Sequence, residues 1–112
     1  MITHDDAVRC RHMLEAARKA RQFIRKRTRA DLDTDEQLAL SIVRLLEIIG
    51  EAGRAVSPAC RQRHPAIPWQ SIAGVRDRLI HGYYDVDLDI VWRILTADLP
   101  PLIKQLEHVL DA

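Results

Sequence analysis

Apolar residues recur every three or four positions over most of this 112-residue chain, the repeat of an amphipathic α-helix. Cys10, Met13, Leu14, Ala17, Ala20 and Ile24 keep that spacing. They predict a first helix that starts at Thr3, with Thr3 and Asp6 resembling a capping box, and frays near Arg27–Ala30. A second stripe runs through Leu38, Ile42, Leu45, Leu46, Ile49, Ala52 and Val56. Its predicted cap is Thr34, with Gln37 reaching back to the cap amide. Gly50 and Gly53 interrupt this stripe at a cost of about 1 kcal/mol each relative to Ala, which close approach of another helix would explain. Ser57-Pro58 ends it and opens a short helix through Arg63. After the rigid His64–Pro68 connector, a helix is expected from about Pro68 to His81, ended by Gly82. The last helical stretch begins near Asp87 and kinks at Pro100-Pro101, where Asp98 would cap a fresh segment running to Leu110. The expected architecture is all-α: an antiparallel bundle of four main helices, the last one kinked, plus a short helix.

Composition sharpens this picture. The length fits one domain over residues 1–112. With 47% hydrophobic and 29% charged residues, the chain is not of the disordered class. Every apolar stretch is broken by charge within a few residues, so no membrane span is expected. Met1 leads straight into polar residues, and a cytoplasmic protein is the default expectation. Cys10 and Cys60 have no CxxC or paired-His spacing and read as small buried residues. His4, His12, His64 and His108 show no metal-ligand grouping, and no cofactor is implied.

Charge is unevenly placed although the net is only +1. Residues 1–30 hold nine basic and three acidic side chains, whereas residues 85–112 hold two basic and six acidic ones. That asymmetry fits either a nucleic-acid surface at one end or a solvated helix face. Phe23 is the only aromatic in the basic run, so the run is not a base-stacking platform.

The candidate chemistry lies in Arg76-Asp77-Arg78-Leu79-Ile80-His81-Gly82-Tyr83. A histidine can give or take protons near neutral pH, and an arginine grips phosphate oxygens through paired hydrogen bonds. A ribose 2′-hydroxyl can attack its neighbouring phosphate with those two aids and no metal. Five residues of straight helix turn about 500°, so Arg76 and His81 would diverge by about 140°. They converge more easily if the helix ends near His81 or if two copies of the chain meet.

Ile49-Gly50-Glu51-Ala52, Ile67-Pro68-Trp69, Arg76-x4-His81-Gly82-Tyr83, Val91-Trp92 and Asp98-Leu99-Pro100 occur in this order. Together they resemble the HepT-like family of the HEPN (higher eukaryotes and prokaryotes nucleotide-binding) superfamily, from about residue 5 to residue 110. The resemblance implies a helical bundle that forms a homodimer and joins two Arg-x4-His motifs in one cleft. It implies a metal-independent endoribonuclease acting on RNA, the toxin of a type VII toxin–antitoxin pair. The implied partner is a minimal nucleotidyltransferase antitoxin that transfers AMP onto the motif tyrosine. Carried over, Arg76 stabilises the phosphate, His81 moves protons and Tyr83 accepts AMP. Tyr84 falls outside the His-x-Tyr spacing. Many relatives have Asn after the Arg, where this chain has Asp77, which can orient Arg76 or His81 but adds a negative charge.

Glu51 either holds Arg76 or has a plain surface role, and Arg78 lies either on the cleft rim or on a solvated face. Trp69 and Trp92 read as packing residues. The competing functional class is a non-catalytic module that binds nucleotide or substrate for a nucleotidyltransferase.

Overall fold

The computed structural model describes residues 2–82 and 85–111. Its long helices are α1 (His4–Phe23) and α3 (Glu36–Ala55), joined through the short α2 (Asp31–Thr34). After α4 (Pro58–Arg63) come α5 (Trp69–Ala73) and α6 (Val75–Leu79). Two short strands, β1 (Ile80–His81) and β2 (Asp85–Val86), form an antiparallel pair. Then α7 (Leu88–Arg93), a π-helical turn (Ile94–Asp98) and α8 (Leu99–Asp111) complete the bundle. The expected all-α helical bundle is what forms, with the short α2, a π-helical turn and the small strand pair as additions among the described residues.

Thr3 caps α1, its Oγ1 accepting from the Asp6 amide at 3.2 Å. The Asp6 carboxylate does not complete a capping box. It accepts from the Ser57 amide at 2.8 Å and the Ser57 hydroxyl at 2.6 Å. This pair fastens the start of α1 to the end of α3, so the two helices run antiparallel. The helix stops at Phe23, earlier than the expected fraying zone, and Lys26 just beyond it has a left-handed backbone with φ 61°. Asp35 rather than Thr34 caps α3, accepting from the Leu38 amide at 3.0 Å. Thr34 is instead the last residue of α2, which the helical periodicity alone did not reveal. Ser57 and Pro58 open α4 as expected, with the Cys60 amide donating to Ser57 Oγ.

The interior is one apolar cluster in which Met13, Ile42, Leu46, Leu79, Leu95 and Leu106 are all but fully buried. Trp69 is buried, its indole N–H donating to the His64 carbonyl at 2.9 Å, and half-buried Trp92 packs against the cluster. The two glycines of α3 do receive another helix. A Cβ on Gly50 would meet Val75 Cγ1 at 2.8 Å and the Ile72 carbonyl at 3.0 Å, and one on Gly53 would meet Ile72 Cγ2 at 2.7 Å. Cys10 and Cys60 are both buried and free. Burial pushes Cys10 up to about 12, reinforced by Cys60 and Asp6.

Two expected helices take a different course. The stretch from Pro68 to His81 breaks at Gly74 into α5 and α6, and helix ends at Leu79. Ile80 and His81 are extended, and Gly82, with φ 78°, serves the connection between the strands rather than a helix end. At the other site, Asp98 does not cap a new helix. The chain passes Pro100-Pro101 without leaving helical form, because the π-helical turn ahead of them shifts the hydrogen bonding: the Leu99 amide donates to the Ile94 carbonyl five residues back.

Candidate active site

Arg76 sits at the second position of α6, whose place is set by Val75 packing on Gly50. The Arg76 side chain is 68% exposed, and its Nε lies 3.6 Å from Glu47 Oε2, a carboxylate that is only 21% exposed. Of the two roles open to Glu51, holding Arg76 or a plain surface role, the structure shows the second: it is exposed and pairs with Arg44 at 3.4 Å. Glu47 and Glu51 lie one turn apart on the same face of α3, so spacing alone could not choose between them. Both line, with Arg76 and Arg54, a groove of about 230 Å³ above Gly50. Glu47 approaches Arg76 at Nε, and most of the Arg76 side chain stays exposed.

His81 lies on β1 and is exposed. The divergence expected on a straight helix therefore does not arise, because the chain leaves helical geometry at Ile80. Across the strand pair His81 faces Asp85. Side chains directly opposite in an antiparallel pair share a face, with Cβ atoms about 4.5–5.5 Å apart. Asp85 is thus an acid beside the candidate proton carrier that the sequence reading missed. Its signal was there: Ile80 and Val86 on either side of a glycine turn mark a short hairpin.

Asp77 is exposed next to Arg76 on α6. Arg78 reaches to within 3.9 Å of Asp98 and lines a different cavity, of about 260 Å³, whose walls include Leu46, Ile49, Ile72 and Ile94. Arg76 and Arg78 therefore serve separate concavities. Tyr83, the candidate AMP acceptor, and its neighbour Tyr84 lie outside the described residues.

The family model described as ribonuclease HepT-like matches residues 13–109, which take in α3, α6, the hairpin and every residue of this site. The chain belongs to the HepT-like ribonuclease family. A relative from Caldanaerobacter subterraneus subsp. tengcongensis, provisionally named an RNase, is 41% identical over 81 residues, covering 72% of each chain. One from Thermococcus cleftensis, provisionally named ribonuclease HepT, is 36% identical over 85% of this chain and 86% of its own. A third, from Methanocaldococcus jannaschii and again provisionally named an RNase, is 32% identical over 87% and 89%. No solved structure gives a significant match. No helix among the described residues is long and apolar enough to cross a membrane.

Proposed function

We propose that this HepT-like chain is a metal-independent endoribonuclease, the toxin of a type VII toxin–antitoxin pair, with Arg76 and His81 as its catalytic residues. The observation that carries this reading is the pairing of family membership with an Arg76 and a His81 that are both exposed on one short segment. In the reaction the ribose 2′-oxygen bonds to the adjacent phosphorus and the bond to the 5′-oxygen breaks, leaving a 2′,3′-cyclic phosphate. One proton leaves the 2′-hydroxyl and one must reach the departing 5′-oxygen. Arg76 stabilises the extra charge on the phosphate oxygens, and Asp85, opposite His81 across the strand pair, places a carboxylate beside the imidazole. One segment supplies one imidazole, whereas a homodimer with facing segments supplies one to take the proton and one to give it.

AMP on Tyr83, transferred by a minimal nucleotidyltransferase antitoxin, would be the off-switch. It places bulk and a negative phosphate two residues from His81, where the RNA phosphate has to sit. The test is cleavage of single-stranded RNA in EDTA. Wild type should cut, and His81→Ala and Arg76→Ala should not while keeping their helical signal. Cutting that persists in His81→Ala removes His81 from the mechanism. Co-expression with the nucleotidyltransferase should relieve growth inhibition and add AMP mass on Tyr83.

Asp77 favours a second reading, a binding module without catalysis, because an exposed carboxylate beside Arg76 opposes a phosphate. That module would be harmless when expressed alone and would cut no RNA.

A further inference from the structure

We infer that the C-terminal end of α1 is a second RNA-binding site, a groove that holds the phosphate backbone away from the point of cleavage. The inference rests on the ribonuclease reading for its ligand and on the groove for its place. An open concavity of about 530 Å³ lies between the end of α1 and α8. Arg18, Arg21, Arg25 and Lys26 line it over Ile24 and Ile103, and no carboxylate does.

The basic residues of this region divide into two groups. Arg27 pairs with Asp31 and Asp35, and Arg29 with Asp33 and Asp89, so these two are neutralised within the fold. Arg18 meets Glu107 at 2.6 Å, and Arg21 is held by the Leu95 carbonyl. Arg25 and Lys26 are exposed and make no ion pair among the described residues. One or two cations suffice to complement the partial negative charge at a helix end; with Arg18 paired to Glu107, Arg21, Arg25 and Lys26 remain in one concavity and repel each other unless an anion joins them. A chain of phosphates is the ligand that meets such a row of charges, in a sequence-independent way. Phe23, 40% exposed, adjoins these residues in the chain and offers one ring for a base.

RNA is favoured over an acidic protein by the position of the groove. Arg29 Nε bonds Asp89 Oδ1 at 2.8 Å, tying the loop after α1 to the first turn of α7. That helix follows directly on β2, and the Asp87 amide donates to the Leu79 carbonyl at 2.8 Å. The groove and the His81 hairpin thus share one end of the bundle, and a strand of RNA in the site can continue into the groove.

The test is fluorescence anisotropy of a labelled single-stranded RNA with the full chain, in a His81→Ala background so that the RNA stays intact. Arg25→Glu with Lys26→Glu should weaken binding at least tenfold at moderate salt. The slope of log affinity against log salt should fall by about 1.4, the value for two lost phosphate contacts on a single strand. Arg11→Glu, exposed about 18 Å back from the end of α1, makes the same kind of charge change and should move Kd less than twofold. Thermal melting should be unaffected, because neither side chain enters the core. Unchanged affinity in the double variant overturns the inference, as does equal weakening by Arg11→Glu. The ribonuclease reading fails separately, through absent cleavage by wild type or surviving cleavage in His81→Ala, and neither result touches the binding comparison.

Discussion

The Arg21 guanidinium donates to the Leu95 carbonyl at 3.2 Å, across 74 residues of chain. That carbonyl is one of those the prolines strand. In the π-helical turn its helical donor would be the amide of residue 100, which is proline, and the Leu99 amide is already given to Ile94. Arginine from α1 supplies the missing donor and pins α1 to the bend. Arg21→Met should therefore cost about 1.5 kcal/mol, the lower end of the range for a hydrogen bond from a charged group, because the arginine is exposed. Pro100→Ala restores a backbone amide, so the loss from Arg21→Met should shrink in that background. A double-mutant cycle from urea melts measures the coupling, and strict additivity would show that Leu95 does not depend on Arg21.

Gly50 and Gly53 should respond unequally to alanine. Each gains about 1 kcal/mol of helix propensity from the added methyl. At Gly50 that methyl would press on the Ile72 carbonyl oxygen, a backbone atom that cannot turn aside, as well as on Val75. At Gly53 its neighbours are side-chain atoms, the Ile72 Cγ2 methyl at 2.7 Å and the flexible end of Met13, with no backbone atom among them. Gly50→Ala should lose about 1–3 kcal/mol net of that gain and shift Arg76 with α6, lowering RNA cleavage too. Gly53→Ala should stay within about 1 kcal/mol of wild type in thermal melts. The reverse order would mean that the α3–α5 contact is tighter than the α3–α6 contact.

The joint between α1 and α4 should set both pH limits of stability. Hydrogen bonds from Ser57, the side-chain bond first, hold the Asp6 carboxyl below its ordinary value against the opposing effect of burial. Its folded value is lowered, so its contribution is complete above about pH 4 and is lost as pH falls through the folded value. Cys10 lies the other way, raised to about 12 by burial. Unfolded chains ionise this thiol near pH 8.5 and the folded protein does not, so stability declines as pH rises from about 8.5 toward 12. Asp6→Asn should flatten the acid limb of a stability–pH curve, and Cys10→Ala the alkaline limb. Thiol-reactive probes at neutral pH should label neither cysteine before unfolding.

Helical periodicity disclosed the bundle because burial repeats every turn, and α1 and α3 begin within two residues of their expected starts. What it could not disclose were features decided by contacts distant in sequence. Asp6 carries the capping-box spacing, yet Ser57 claims its carboxylate. The π-helical turn lies just ahead of Pro100-Pro101, where the sequence pattern had offered a cap at Asp98 instead. At the site, Arg76 and His81 were visible as residue types, but Glu47 and Asp85 were not visible as their neighbours. The first depends on the register of α6 against α3, and the second on a two-residue strand that a helical pattern had absorbed.

Glu47 offers the sharpest separation of binding from chemistry at Arg76. Its carboxylate approaches the guanidinium at 3.6 Å from a mostly buried position, so it restrains a side chain that is otherwise free in solvent. It also subtracts positive charge from the place where a phosphate would bind. Glu47→Gln keeps the shape and removes the charge. RNA should then bind more tightly, because the guanidinium is less neutralised, while the cleavage step slows because Arg76 loses its fixed orientation. The expected result is KM lower by about threefold and kcat lower by about tenfold, a loss of about 1.4 kcal/mol in the chemical step. Steady-state kinetics with single-turnover checks read the two separately. A variant with unchanged kcat would show that Glu47 does not position Arg76, and one with raised KM would show that Arg76 does not meet the substrate phosphate.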